Sequence, residues 1–178
     1  MAEVLRDFPA FLADHAACER KAVALCLSLT VRYPAKTKLT EPLLALAKEE
    51  LEHFHQVTKL LLERDLTLTP DRKDPYISTI QRAMRDGRET RLLDTLVASS
   101  LIEARGAERF QLLAEALTEE SLKQFYHRLA KSEQAHHLVF LRLAKLYYDG
   151  SAIGAAVEKF LTIESEAMLQ APKGPTLH

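Results

Sequence analysis

The feature that most constrains this chain is a charge pattern that occurs twice, each time on stretches otherwise built for burial. Glu19 sits in the middle of a helical stripe with Phe8, Leu12, Val23 and Cys26. Glu50 and His53 share a second stripe with Leu43, Leu46, Ala47, Val57 and Leu60. Further on, Glu103 lies among Leu92, Leu96, Ala107, Phe110 and Ala114, and Glu133 with His136 lies among Leu122, Tyr126, Leu129, Phe140 and Tyr147. Glu50 follows Glu19 by 31 positions, and Glu133 follows Glu103 by 30. The chain therefore carries an internal repeat, each copy supplying one lone Glu and one Glu-x-x-His. Glu52 and His55 have the same spacing, but their face also holds Lys48, Gln56 and Lys59 and reads as solvated. Glu108, on the side of Asp94 and Glu115, reads the same way.

Punctuation between these stretches is sparse. Five Gly and seven Pro in 178 residues, with 47% hydrophobic and 28% charged side chains, exclude a turn-rich β fold and predict a mostly helical domain. A first helix is expected from Leu5 to Tyr33, stopped by Pro34. A second is expected to open with Thr40 as cap and Pro42 in its first turn and to run to about Asp65. Pro70, Pro75 and Gly87 interrupt residues 66–90, leaving room for one short helix after Asp74. Helices are then expected over 89–117, from Thr118 to the Asp149–Gly150 break, and over 151–168. Two long hairpins joined by a long connection are the ferritin-like form of the four-helix bundle, here with an added C-terminal helix. A single domain over residues 1–170 follows, with a tail over 171–178, APKGPTLH, expected to be disordered.

Four buried carboxylates repel one another and lose their hydration, so the bundle needs a compensating cation. Glu and His three positions apart share one helical face, which lets both meet one metal ion. One Glu from each of two helices, with Glu-x-x-His from each of the other two, is the di-iron or di-manganese carboxylate set. Its oxygen-rich character suits iron or manganese better than zinc.

Other functions are narrowed by charge and cysteine content. A net charge of −1 excludes a uniformly basic coat for nucleic acid. Cys18 and Cys26, the two cysteines, lie eight apart in one helix and do not form a disulfide framework. With neither a signal-like N-terminus nor an apolar run of membrane-spanning length, the expected location is the cytoplasm.

With these residues identified, the chain resembles the tRNA hydroxylases of the ferritin-like di-iron superfamily (MiaE-like), which act on 2-methylthio-N6-isopentenyladenosine beside the anticodon. The likeness is carried by Asp14-His15 through Cys18-Glu19, Leu46-Ala-Lys-Glu-Glu-Leu, Leu93-Asp-Thr-Leu-Val, Ile102-Glu-Ala-Arg, Glu108-Arg-Phe, Phe125-Tyr-His and Lys131-Ser-Glu133. The resemblance implies that Glu19, Glu50, His53, Glu103, Glu133 and His136 are both iron ligands and catalytic residues. It further implies two iron ions, O2 as co-substrate, an external electron donor such as a reductase or ferredoxin, tRNA as partner, and hydroxylation of the isopentenyl group. Ser99, Ser100, Gly106 and Ala107 around the Glu103 face either leave space for oxygen and a prenyl chain or allow close helix packing. His15, one turn before Glu19, is either a partner of that ligand or a core histidine. Tyr126 and Tyr147 read as core.

Residues 20–38 hold Arg20, Lys21, Arg32, Lys36 and Lys38 with no acidic side chain. In a ferritin-like topology Arg32, Lys36, Lys38, Arg88, Arg91 and Lys145 are expected at one end of the bundle, as an RNA-phosphate surface. Arg82 and Arg85 are further candidates. Two alternatives remain open from the residues: a ferritin- or rubrerythrin-like protein that oxidises iron or scavenges peroxide without an organic substrate, and a metal-stabilised scaffold. The oligomeric state is not set by the sequence.

Overall fold

The computed structural model describes residues 1–71, 73–170 and 174–177, and those in regular structure are all helical. The elements are α1 (Ala2–Arg6), α2 (Phe8–Arg32), α3 (Thr37–Leu62), α4 (Pro75–Arg82), α5 (Arg88–Ala116), α6 (Glu120–Lys145) and α7 (Gly150–Gln170). They form two compact units: Met1–Asp71, with residues 174–177 against it, and a second within residues 73–170.

In the first unit α2 and α3 form an antiparallel hairpin. The helix expected from Leu5 is broken at Asp7, whose carboxylate accepts the Ala10 N–H at 3.1 Å and caps a new helix. Pro9 favours the restart because it has no N–H to give to a continuous helix. The second helix, in contrast, starts a turn before Thr40, at Thr37, and carries Pro42 inside it. Burial of Leu39 and Leu43 on the core stripe offsets the one backbone hydrogen bond that Pro42 forgoes. Phe11, Leu12, Ala16, Cys26 and Leu29 of α2 fill the interior with Leu46, Val57 and Leu61 of α3.

The α3 C-terminus closes with the Leu66 N–H on the Leu61 carbonyl and the Asp65 N–H on that of Leu62. Asp65 takes the left-handed position, φ 56°, that glycine fills at most such ends.

The second unit is the α5/α6 hairpin with α7 packed against α5 and α4 packed against α7. Asp74 caps α4 through the Tyr76 and Ile77 N–H groups, as the Asp-Pro signal predicts. Two buried ion clusters tie this unit together. Asp94 on α5, expected on a solvated side, is instead completely buried, because α7 and the segment after α4 cover that face. It accepts from the Arg85 main-chain N–H at 2.9 Å, from Arg85 Nε at 3.0 Å and from Lys159 Nζ at 3.3 Å. Buried Glu164 on α7 accepts from Arg105 Nε at 2.8 Å and Nη2 at 3.0 Å, and the Tyr76 hydroxyl lies 3.5 Å away.

Of the expected tail, residues 171–173 and 178 lie outside the described residues. Leu177 is described, and its N–H donates to Asp14 Oδ2 at 2.8 Å.

Candidate metal centre

Each unit presents one half of the charged pattern. In the first, Glu19, Glu50 and His53 are all buried, whereas Glu52 and His55 are exposed as their face predicts. His53 Nδ1 lies 3.6 Å from Glu50 Oε2 and 3.8 Å from Glu19 Oε2. These separations are too long for hydrogen bonds. They bring two carboxylates and one imidazole nitrogen around one point inside an otherwise apolar hairpin. The other Glu19 oxygen, Oε1, is 2.7 Å from Nε2 of His15, itself fully buried. Burial, and after it the Glu50 carboxylate, pushes the Cys26 thiol up to about 12, so this sulfur stays protonated.

In the second unit Glu133 and His136 are buried on α6, with His136 Nδ1 3.4 Å from Glu133 Oε2 and His136 Nε2 3.3 Å from the Ser132 hydroxyl. Glu103 on α5 is half-buried, so the expectation of a fully buried side chain there is corrected. Leu101 to Ala104 are all half-buried, which places this length of α5 at the margin of the unit's core. One turn later Gly106 faces α6, since a Cβ added to it would lie 3.8 Å from Glu133 Cγ. Glu108 is exposed and pairs with Arg105.

The donor set fits a hard or borderline divalent ion. It is made of carboxylate oxygens and imidazole nitrogens, and in the first unit two carboxylates are buried within 4 Å of the same ring nitrogen. Without a cation that grouping is costly.

The small residues divide. Ser100 uses its hydroxyl on His137 of α6, 2.8 Å from Nδ1, and so pins the two helices together. Tyr126 is buried as core against Phe110 and Phe125, and Tyr147 is half-buried just beyond α6.

The basic residues fall at helix ends within each unit. Arg32, Lys36 and Lys38 surround the α2–α3 turn. Arg88 and Arg91 open α5 and Lys145 closes α6, at the same end of that hairpin, where the Tyr148 hydroxyl donates to the Glu89 carbonyl at 2.7 Å. Arg91 is half-buried and pairs with Asp86 at 3.6 Å. Arg85, a further RNA candidate, pairs with Asp94.

What sequence reasoning missed is the pair of buried acids, Asp94 and Glu164. Their signal lies in cations distant in sequence, Arg85 with Lys159 and Arg105, which no helical periodicity connects.

The chain resembles known proteins over nearly its whole length. It is 40% identical over 168 residues to the tRNA 2-(methylsulfanyl)-N(6)-isopentenyladenosine(37) hydroxylase of Pseudomonas putida, covering 94% of this chain and 81% of that one. It is 33% identical over 136 residues to the protein of the same name from Salmonella typhimurium, covering 76% of this chain and half of that one. Among solved structures, "Protein 43 with aldehyde deformylating oxygenase activity from Synechococcus" matches with a TM-score of 0.88 at 36% identity, over 94% of this chain and 85% of that one. The all-helical, ferritin-like fold expected from the hairpin pattern is the observed one. None of the described helices is long and apolar enough to cross a membrane. With all of residues 1–178 matching the family model described as tRNA-(MS[2]IO[6]A)-hydroxylase (MiaE), this chain belongs to that family.

Proposed function

We propose that this protein is an O2-dependent di-iron monooxygenase that hydroxylates the isopentenyl group of 2-methylthio-N6-isopentenyladenosine in tRNA. The observation that carries the reading is the coincidence of two independent facts. Residues 1–178 match the hydroxylase family, and both halves of the repeat place a Glu-x-x-His pair in the buried interior of a helical hairpin. Glu50, His53, Glu133 and His136 are four buried groups of metal-ligating type, to which buried Glu19 and half-buried Glu103 would add a carboxylate from each hairpin's other helix. These six residues would hold two iron ions, with residues 1–170 acting as one domain. When bound, the iron supplies activation of O2 by electrons from a donor outside the chain, such as a reductase or ferredoxin.

The chain's own contribution is position and exclusion of water. Leu46, Val57 and Cys26 in the first unit, and Phe110, Tyr126, Leu129 and Phe140 in the second, are buried apolar side chains on the helices that carry the charged groups. Such side chains keep the ligands from exchanging with solvent and leave an apolar setting suited to a prenyl chain. Gly106 removes side-chain bulk beside Glu133. Arg32, Lys36 and Lys38, with Arg88, Arg91 and Lys145, are the proposed phosphate contacts for tRNA. The place of work is the cytoplasm, where tRNA is found.

Nucleoside mass spectrometry tests the reading, using isopentenyl-modified tRNA incubated with iron-loaded protein, a reductant and O2, and a Glu50→Ala protein as control. Gain of one oxygen on the prenyl adenosine, absent in the control, supports the proposal. Iron loading and O2 consumption without a hydroxylated nucleoside overturn it in favour of iron or peroxide chemistry, or of a small substrate such as an aldehyde.

A further inference from the structure

His15 is a buried polar residue that the proposed ligand set does not use. It sits one helical turn before Glu19 on α2, fully buried, with its ring 5.9 Å from that of Phe11. Its Nε2 lies 2.7 Å from Glu19 Oε1, a short contact typical of a hydrogen bond to an ionised carboxylate. Glu19 Oε2 faces the other way and is the oxygen 3.8 Å from His53 Nδ1. The two oxygens of one carboxylate thus have different neighbours: a histidine on one side and the ligand cluster on the other.

The second half of the repeat does not reproduce this device. The position four residues before Glu103 is Ser99, a side chain too short to span one helical turn to a glutamate carboxylate. Helical geometry common to both copies therefore does not require a histidine here. Apart from Glu19, the other buried positions on α2 are filled by Phe, Leu, Ala and Cys, so a polar ring in this one incurs a desolvation cost that its bond to Glu19 helps to offset.

We propose that His15 is a positioning residue for the metal centre. By donating Nε2–H to Glu19 Oε1 it fixes the carboxylate rotamer and leaves Oε2 as the oxygen offered to metal. The inference rests on the metal-binding reading above and deepens it. Removing the donor frees Glu19 to rotate, so metal binding weakens and the ligand arrangement changes, although no ligand has been removed. Losses of this kind are about 10- to 100-fold in affinity.

The test compares wild type, His15→Leu, His15→Gln and His15→Asn, with Co2+ as a spectroscopic probe for the metal. The Gln amide reaches about where Nε2 lies and keeps the donor, whereas the Asn amide is polar but too short. Co2+ titration is followed by visible absorption, with far-UV circular dichroism and thermal melting of the metal-free proteins alongside. The expected result is an affinity 10- to 100-fold weaker with an altered cobalt spectrum for His15→Leu and His15→Asn, and near wild-type affinity and spectrum for His15→Gln. Wild-type cobalt affinity and spectrum in the Asn variant overturn the proposal while leaving the metal centre standing. If His15→Leu fails to fold, the Gln and Asn pair still decides. Absence of Co2+ binding by wild type overturns the metal-binding reading itself, and this proposal with it.

Discussion

Replacing Asp94 by Asn tests whether a buried acid distant from the ligands holds the second unit together. The carboxylate is fully buried and receives the Arg85 main-chain N–H, the Arg85 guanidinium at 2.5 and 3.0 Å and Lys159 Nζ at 3.3 Å. An Asn in its place keeps one acceptor oxygen for the main-chain N–H and Lys159 but removes the negative charge and turns an amide donor toward the Arg85 guanidinium. Breaking a fully buried ion pair costs about 3–5 kcal/mol. Here the released side chains, 45% exposed for Arg85 and 33% for Lys159, can regain water. The loss should therefore be smaller, about 2 kcal/mol, in the range of one charge-assisted hydrogen bond. For a chain of 178 residues that lowers Tm by about 4–8 °C near neutral pH.

The pH dependence makes the argument specific. Burial alone would raise the Asp94 carboxyl, but the Arg85 side-chain and main-chain bonds and Lys159 outweigh it and hold the group below the usual carboxylate range. A group depressed in this way contributes stability that is present above the unfolded Asp value, about 3.9, and is lost as pH falls through the folded value. The Tm gap between wild type and Asp94→Asn should therefore be widest near neutral pH and close in acid, where the wild-type carboxylate is itself neutral. Thermal melts by far-UV circular dichroism across that range read the gap directly. Equal Tm near neutral pH, or a gap that persists undiminished below the folded value, would refute the reasoning.

The other buried acid should behave similarly. Arg105→Met strands Glu164 in the core and should cost about 3 kcal/mol, whereas adding Glu164→Met should recover most of it, as a double-mutant cycle by denaturant unfolding would show. Asp65→Gly, at the left-handed residue that ends α3, should raise stability by about 0.5–1 kcal/mol, an increase in denaturation midpoint without a change in slope. In the folded metal-free protein at mildly alkaline pH, Cys26, with its thiol pushed up to about 12, should resist iodoacetamide while half-buried Cys18 is labelled, and denaturant should expose both to mass-spectrometric detection. Lys36→Glu with Lys38→Glu should weaken tRNA binding and flatten its salt dependence by about two in the log–log slope, measured by filter binding.

The sequence was most informative where a periodic signal met a costly residue. An acid on an apolar stripe is legible because burial is visible in the spacing and its expense in the chemistry, which singles out Glu19, Glu50, His53, Glu133 and His136, and also Glu103, which the fold leaves half-buried. Helix starts were less legible, because Asp7 and Pro9 divide the first helix through a local cap, while at Pro42 tertiary burial of Leu39 and Leu43 overrides a local signal. Asp94 and Glu164 could not be read at all. Asp94 looks like a surface acid until Arg85 and Lys159 of α7 close over it, and Glu164 until α7 meets Arg105 of α5, and those contacts join residues far apart in the chain.

The repeat itself gains meaning from its differences. Both copies share the lone Glu and the Glu-x-x-His, but the residues supporting them have diverged. Glu19 is buried and held by His15, whereas Glu103 is half-buried, with Ser99 in the place of the histidine and Gly106 one turn beyond. A carboxylate locked by a buried hydrogen bond is suited to keeping one binding mode through a reaction. One at the margin of its core is less constrained and freer to change rotamer. The lone Glu of the first hairpin is therefore the more firmly held of the two. Enlarging Gly106 acts on Glu133 directly: Gly106→Ala, whose Cβ would lie at an ordinary 3.8 Å from Glu133 Cγ, should leave Co2+ affinity near wild type, whereas Gly106→Leu should weaken it in the same titration.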